Sequence, residues 1–459
     1  MDTFRRNACP SLAAPMRTGD GWLARLPPLV APMTPAMLAE LSAAADRHGN
    51  GLLEISKRGN LQLRGLAEDG AGGLAADLEE AGFDLAEGIP ISLDPLATLA
   101  GIDAAPIVHD LHRRIQDAGV ETRLAPKFTI LLDFGSPLAP QGLSADLRLA
   151  FRGDRVAIGL GGDDARAANW IGWVARTAAI DAALAILGTL AAHGPGARLR
   201  GPGGLAGNPA IASTVAGLFD GAVPPANGAA GTTIGPIAGY DVSVQGIAFA
   251  FGQSHADALR KLAATASREG LAAFAPAPER VLLLAGEPDA VAATVSVAAR
   301  LGFITEPNDT RRFIAACIGS EGCASGRMAA RHMAEAAAGA IASLLDGSLT
   351  LHLSGCAKGC AHPEPAKITL VGVDNGAGLV LDGRARDAPV GIAPASVLLG
   401  GLGRLAAMAA TRAPGTTARA AVDSMERAGI LGAVTGETAG DDDDRGESRN
   451  DPRDARLSA

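Results

Sequence analysis

At 459 residues the chain is too long for one ordinary domain and holds roughly three domains' worth of sequence. Apolar residues make up 48% and charged residues 19%, which excludes a disordered protein and allows sizeable cores. A net charge of −9, with only 11 Phe, 3 Trp and 1 Tyr, argues against a nucleic-acid surface built on cations and stacking rings. An anionic ligand needs only a local cluster of basic residues and is not excluded.

Met1 to Pro28 carries the pair Arg5-Arg6 but no long apolar core after it. The longest mostly apolar run, Ala182 to Ala192, is about half the ~20 residues that span a bilayer. Five cysteines is an odd number, and a chain this large needs no disulfide staples, so the expectation is a cytoplasmic protein. Pro35 to His48 has helical apolar spacing through Leu38, Leu41 and Ala45, with Thr34-Pro35 as cap and first turn. Gly51 to Ser56 reads as a strand, and Leu61 and Leu63 alternate with Gln62 and Arg64 in a second, joined by Lys57-Arg58-Gly59-Asn60. Leu124 to Leu132 reads as a strand entered through Pro126.

The helix–strand–turn–strand unit recurs at Asp257 to Arg268, Gly270 to Ala275 and Arg280 to Ala285, with Gly270 lying over Gly51, 219 residues on. An internal duplication into two pseudo-symmetric halves is the economical reading. His193 to Gly239, dense in Gly and Pro, reads as the crossing connection. Met328 to Leu345 reads as a helix and Leu349 to Ser354 as a strand. Ile368 to Val373 and Leu379 to Leu381 flank a hairpin turn at Asn375-Gly376. From Glu437 to Ala459 eight acids and four arginines form a charged tail that buries too little surface to fold.

Four of the five cysteines fall into two close pairs. Cys317 and Cys323 enclose five residues, Cys356 and Cys360 enclose three, and 32 residues separate the pairs. Four thiolates on loops suit a tetrahedral zinc or a cubane cluster rather than buried thiols. Five intervening residues fall outside the zinc habit, and the surrounding glycines let backbone N–H groups approach cluster sulfides.

The Cys-x5-Cys and Cys-x3-Cys pattern resembles the [4Fe–4S] signature of the sirohaem sulfite and nitrite reductases. Ser56 to Arg64 resembles their arginine-bearing turn and strand, and Leu124 to Phe128 their lysine-bearing strand. The resemblance implies a duplicated α/β (α+β) nitrite/sulfite reductase-like fold, with two ferredoxin-like half-domains and two larger α/β domains around one cleft. The domains expected are residues 1–95, 96–193, a connection over 194–239, 240–303, a cluster-binding domain over 304–436, and a disordered tail over 437–459. Two departures stand out. The stretch Ile89 to Leu96 lacks the arginine of the reductases' Asn-Arg-Asn motif, and Thr129 stands where they have a second lysine. Reducing a small oxyanion needs several fixed cations, so losing two argues against that job.

Ser354 to Pro363, with Ala8-Cys9-Pro10 and Met16 to Gly21, instead resembles the cobalamin-pathway branch of this family. That resemblance implies an oxygen-dependent monooxygenase acting on precorrin-3A, a sirohaem-like tetrapyrrole, with hydroxylation at C20 and γ-lactone closure. It further implies a [4Fe–4S] cluster on Cys317, Cys323, Cys356 and Cys360, a non-haem iron, dioxygen, and NADH or a donor protein as electron source. The rival expectations are a sirohaem-dependent sulfite or nitrite reductase and a non-catalytic iron–sulfur carrier. Arg58 and Lys127 match the family's active-site cations and suit substrate carboxylates. Gln62 and Arg64 are expected to face the cleft, and Lys358, between two cluster ligands, to contact substrate or moderate cluster charge. His109 and His112 share one helix face without a carboxylate to complete an iron triad. His362 follows Cys360 either near the cluster or as a structural residue ahead of Pro363, and Cys9 is expected to be an ordinary buried thiol.

Overall fold

Thr34 accepts a hydrogen bond from the Met37 amide at 3.2 Å and Pro35 takes the first turn, so the first helix forms over Pro35–His48. It buries Leu38, Leu41 and Ala45 in an apolar core. This is a computed structural model, and it describes residues 10–85, 88–136, 143–163, 167–219, 233–412 and 414–436. Cys9, Arg5-Arg6, the charged tail and the middle of the Gly/Pro-rich connection lie outside the described residues.

The first repeat contributes nine strands: β1 (Met16–Thr18), β2 (Gly21–Arg25), β3 (Leu52–Ile55), β4 (Leu61–Leu66), β5 (Ile91–Leu93), β6 (Ile130–Asp133), β7 (Leu147–Arg152), β8 (Arg155–Leu160) and β9 (Asn169–Ala175). The second contributes ten: β10 (Gly235–Ile237), β11 (Ser243–Ala248), β12 (Gln253–His255), β13 (Ala273–Ala277), β14 (Val281–Gly286), β15 (Ile314–Ala316), β16 (Leu351–Ser354), β17 (Ala366–Val373), β18 (Gly376–Gly383) and β19 (Gly391–Ala393). Two antiparallel sheets have the orders β1-β2-β4-β3-β12 and β10-β11-β14-β13. Two mixed sheets, β5-β6-β7-β8-β9 and β15-β16-β17-β18-β19, share one topology: two parallel pairings followed by two antiparallel ones. The duplication is therefore visible through the whole order of elements.

The chain divides into two compact units. One holds the residues up to Arg312 with Gly322–Ala324, and the other holds Phe313–Glu321 with the residues from Ser325. In the first unit the two antiparallel sheets exchange edges. β12 pairs with β3, and Met33 and Phe274 of β13 bond each other's backbone twice at 2.7 Å. Leu41, Leu53 and Leu63 from one repeat and Leu262, Phe274 and Leu284 from the other then share a single core. In the second unit, Leu351, Leu353, Ile368, Leu370 and Leu379 are buried on its sheet, as are Leu398, Leu402 and Leu405 of the helix Ala395–Arg412.

Several expectations need correction. The lysine-bearing strand begins at Ile130, not Leu124, because Pro126 has no N–H to donate and the Phe128 amide closes a turn on the Ala125 carbonyl at 2.8 Å. The two repeats are 221 residues apart at their helix starts, Pro35 and Ala256, so Gly49 and not Gly51 matches Gly270. Gly51 and Gly270 both adopt left-handed backbone, φ 74° and 76°, but one enters a strand and the other ends a helix. β10, at Gly235–Ile237, lies within the expected connection and pairs with β11. The helix expected over Met328 to Leu345 spans Ala330–Ala340 and tightens into a 3₁₀ turn at Ala342–Leu344.

Candidate substrate pocket and cysteine loops

The turn Lys57 to Asn60 joins β3 to β4 and is tied by the Gly59 amide to Ser56 O at 2.9 Å and the Asn60 amide to Ser56 Oγ at 3.0 Å. Gly59 has φ 82°, and a Cβ there would stand 2.8 Å from the Ala277 carbonyl carbon, so this turn packs directly on the β13–β14 turn of the other repeat. The Glu279 amide donates to Lys57 O at 3.0 Å across the same junction. Glu279 and Arg280 both carry positive φ, 62° and 67°, a pair of conformations non-glycine residues seldom adopt. Between the two turns and Ser92, Leu93, Pro95 and Thr98 lies a small pocket open to solvent, with Arg58 and Asn60 on its wall.

Arg58 is anchored by donating from Nη2 to the Ser144 carbonyl at 2.6 Å. Next to it, the Leu143 carbonyl accepts from Arg148, whose Nε also donates to Gly161 O at 2.9 Å. Arg148 is buried, and that burial lowers its pKa; Asp133 opposes the shift, and the nearby charge of Arg58 adds to it. Two guanidinium groups therefore lie on consecutive carbonyls, with Arg58 reaching the pocket. Arg148 carries no signal in the sequence: it alternates with Leu147 and Leu149, so the strand pattern reads it as an outward-facing charge.

The other expected contacts are placed differently. Arg64 grips Asp20 with a two-pronged bond, Nε to Oδ2 and Nη2 to Oδ1 both at 2.7 Å, and reaches Glu54 at 3.1 Å. Gln62 is buried, and its amide oxygen accepts from the Arg25 guanidinium at 3.1 and 3.2 Å. Lys127 is exposed in the turn ahead of β6, where its carbonyl accepts from Arg198. Thr129 is buried, and its amide donates to Asp146, a carboxylate held by Arg198 and Arg200. Asp94 lies in the segment lacking the reductases' arginine. Burial raises its pKa, opposed by hydrogen bonds from Ser136, while its Oδ1 caps the helix Pro95–Leu99.

In the second unit, Cys317 follows β15 directly and Cys356 follows β16 by two residues. The two strands are parallel and in register, Ala316 with Leu353, so both cysteines leave from the same carboxyl-terminal edge. The Gly355 amide donates to Cys317 Sγ at 3.1 Å. Glycines make this approach possible. A Cβ at Gly355 would stand 2.8 Å from Gly319 Cα, and one at Gly326 would stand 2.5 Å from the Gly319 carbonyl carbon. A Cβ at Gly319, φ 73°, would collide with Ala330 N and Met328 O. Lys358 donates to Ser325 Oγ at 3.0 Å. Cys323 follows the 3₁₀ turn Gly319–Glu321, in the short segment that groups with the first unit.

None of the four cysteines forms a disulfide. Among the described residues, no three or more His, Cys, Asp or Glu side chains are gathered so as to hold a metal ion. The donor chemistry nevertheless fits an iron–sulfur group: thiols on loops, one already accepting a backbone N–H, and glycine-lined walls that leave amides accessible. His109 and His112, on the helix Ala105–Asp117, are engaged separately by Asp84 and the Ile89 carbonyl. Among the described residues no helix is long and apolar enough to cross a membrane.

Residues 14–81 match the family model of the nitrite/sulfite reductase ferredoxin-like half domain. The structure of the Mycobacterium tuberculosis NirA protein superposes with a TM-score of 0.64 at 18% identity, covering 88% of this chain and 84% of that one. Fold and half-domain thus define a nitrite/sulfite reductase-like protein. A precorrin-3B synthase from a Sinorhizobium species is 38% identical over 397 residues, 84% of this chain and 85% of its own. The chain belongs to the precorrin-3B synthase family, oxidoreductases built on the nitrite/sulfite reductase fold.

Proposed function

We propose that this chain carries out the oxygen-dependent hydroxylation of precorrin-3A at C20, with γ-lactone formation, in aerobic cobalamin biosynthesis. The observation that carries this reading is the 38% identity to a precorrin-3B synthase across most of both chains. The missing arginine between Ile89 and Leu96 and the Thr129 substitution support it over anion reduction, since both remove fixed positive charge that an oxyanion transition state needs.

A tetrapyrrole substrate carries a ring of carboxylates. Arg58, held on the Ser144 carbonyl with its charge at the pocket wall, binds one of them, and exposed Lys127 offers a second cation. Arg148 works behind Arg58: its buried charge adds to the positive potential, and its bond to Leu143 O holds the segment that anchors Arg58. Gln62 and Arg64 act from within the strand, fixing it through Arg25, Asp20 and Glu54. Lys358 is proposed as a further anion contact.

Cys317, Cys323, Cys356 and Cys360 would hold a [4Fe–4S] cluster, which when bound supplies the single electrons that dioxygen chemistry requires. NADH, directly or through a donor protein, is the electron source, and the family resemblance adds a non-haem iron. One oxygen atom of dioxygen enters the substrate; the other leaves as water with two electrons and two protons.

The test is turnover of precorrin-3A by anaerobically purified protein given labelled dioxygen, NADH and a donor system. The expected result is one labelled oxygen in a lactone-bearing product, with broad cluster absorption and no extractable sirohaem. Stoichiometric sirohaem with turnover of sulfite or nitrite would overturn the proposal.

A further inference from the structure

A fully buried histidine lies under the second cysteine loop. His352 is the second residue of β16, flanked by Leu351 and Leu353, and has no exposed surface. Histidine is an uncommon residue for a fully buried strand position, here set between Leu351 and Leu353 and opposite Thr369 of β17. Its ring meets the ring of His362 edge-on, with centroids 5.6 Å apart and planes inclined by 62°.

The loop between those two rings carries Cys360. The His362 amide donates to Gly359 O at 3.2 Å, so Cys360 lies inside a turn whose two ends are Gly359 and His362. Gly359 has φ 62°, and a Cβ there would stand 3.3 Å from Ala385 Cβ and 3.7 Å from His352 Cε1. The turn is therefore seated on the His352 ring at one end and clasped by the His352–His362 contact at the other. A cluster ligand needs its sulfur held in place, and residues behind the ligand shape both its position and the potential of the metal group.

We propose that His352 and His362 form a ring clasp that positions Cys360, and thereby tunes the iron–sulfur cluster. The inference rests on the reading of Cys360 as a cluster ligand. Both histidines are positioning residues: they act through the turn.

His362 is only half-buried, so the full-length chain tolerates its replacement better than that of His352. The experiment compares the unsubstituted protein, His362→Ala and His362→Phe, all purified anaerobically. Iron and acid-labile sulfide content, the electron paramagnetic resonance spectrum of the reduced cluster and its midpoint potential are measured, with circular dichroism to confirm folding. His362→Ala is expected to shift the potential and the resonance positions, and His362→Phe, which restores an edge-on ring contact, to return both towards the original values. A potential and spectrum in His362→Ala identical to those of the unsubstituted protein would overturn the clasp. Failure of the phenyl ring to restore them would also overturn it, by showing that the imidazole acts through its polarity and not its packing. If the unsubstituted protein contains no acid-labile sulfide, the cluster reading fails, and the clasp as a cluster device fails with it.

Discussion

Replacing Arg64 with Met separates a structural role from a substrate contact. The Asp20 side chain is 1% exposed and that of Arg64 12%, and the pair is joined by two bonds of 2.7 Å with a third to Glu54. Burial alone would raise the Asp20 pKa, but the Arg64 bonds and charge, helped by the Thr18 hydroxyl, outweigh it and hold the carboxyl below its usual 3.8. Removing the guanidinium leaves a buried carboxylate with Thr18 and, at 3.4 Å, the Asn50 amide as neutral side-chain donors, a change that costs about 3–5 kcal/mol. All three tryptophans, Trp22, Trp170 and Trp173, lie in the first unit, so tryptophan emission during urea unfolding reports that unit alone. Arg64→Met should shift the transition by the stated amount at neutral pH, and adding Asp20→Asn should recover much of it through a coupling of about 1–3 kcal/mol. The sign with pH follows from the lowered pKa. The pair's contribution is fully present above pH 3.8 and is lost as the pH falls through the lower folded-state value, so the gap between wild type and Arg64→Met should narrow there. An Arg64→Met protein within about 1 kcal/mol of wild type that had lost tetrapyrrole affinity would refute the reasoning and make Arg64 a substrate ligand.

Arg58→Ala should weaken tetrapyrrole binding by about tenfold or more while leaving iron and sulfide content intact; equal affinity by fluorescence quenching would remove it from the binding site. Cys360→Ser should lose or degrade the cluster, and full iron and sulfide content in that variant would sink its ligand role. Gly319→Ala places a Cβ against Ala330 N and Met328 O at a left-handed position, so the second unit should lose about 1–3 kcal/mol. A thermal melt followed by circular dichroism checks this, and an unchanged melt would show that the loop can relax.

Much was legible along the chain because its causes are local. Thr34-Pro35 starts a helix wherever it stands, since the cap and the fixed φ of proline act within one turn. The hairpin between β17 and β18 falls one residue earlier than Asn375-Gly376: Asp374-Asn375 make the turn, and Gly376, at φ 136°, already pairs with Val373 as the first residue of β18. The spacing of Cys317, Cys323, Cys356 and Cys360 needed only counting. The strand after Lys127 starts later than the run Leu124 to Leu132 suggests, because Pro126 has no N–H to donate to a ladder and the Phe128 amide closes a turn instead.

What the tertiary structure decided were partnerships between residues far apart in sequence. Arg64 shows one face in a strand pattern whether it meets solvent, substrate or a carboxylate; only the pairing of β2 with β4 carries Asp20, 44 residues away, to its guanidinium. Arg148 became an electrostatic neighbour of Arg58 because the Leu143–Ser144 carbonyls accept from both. The exchanged edges, β12 on β3 and Met33 on Phe274, follow from each repeat leaving one strand edge open, which the other fills. Backbone ladders and buried charges must be satisfied somewhere, and sequence shows the demand without showing which distant group meets it.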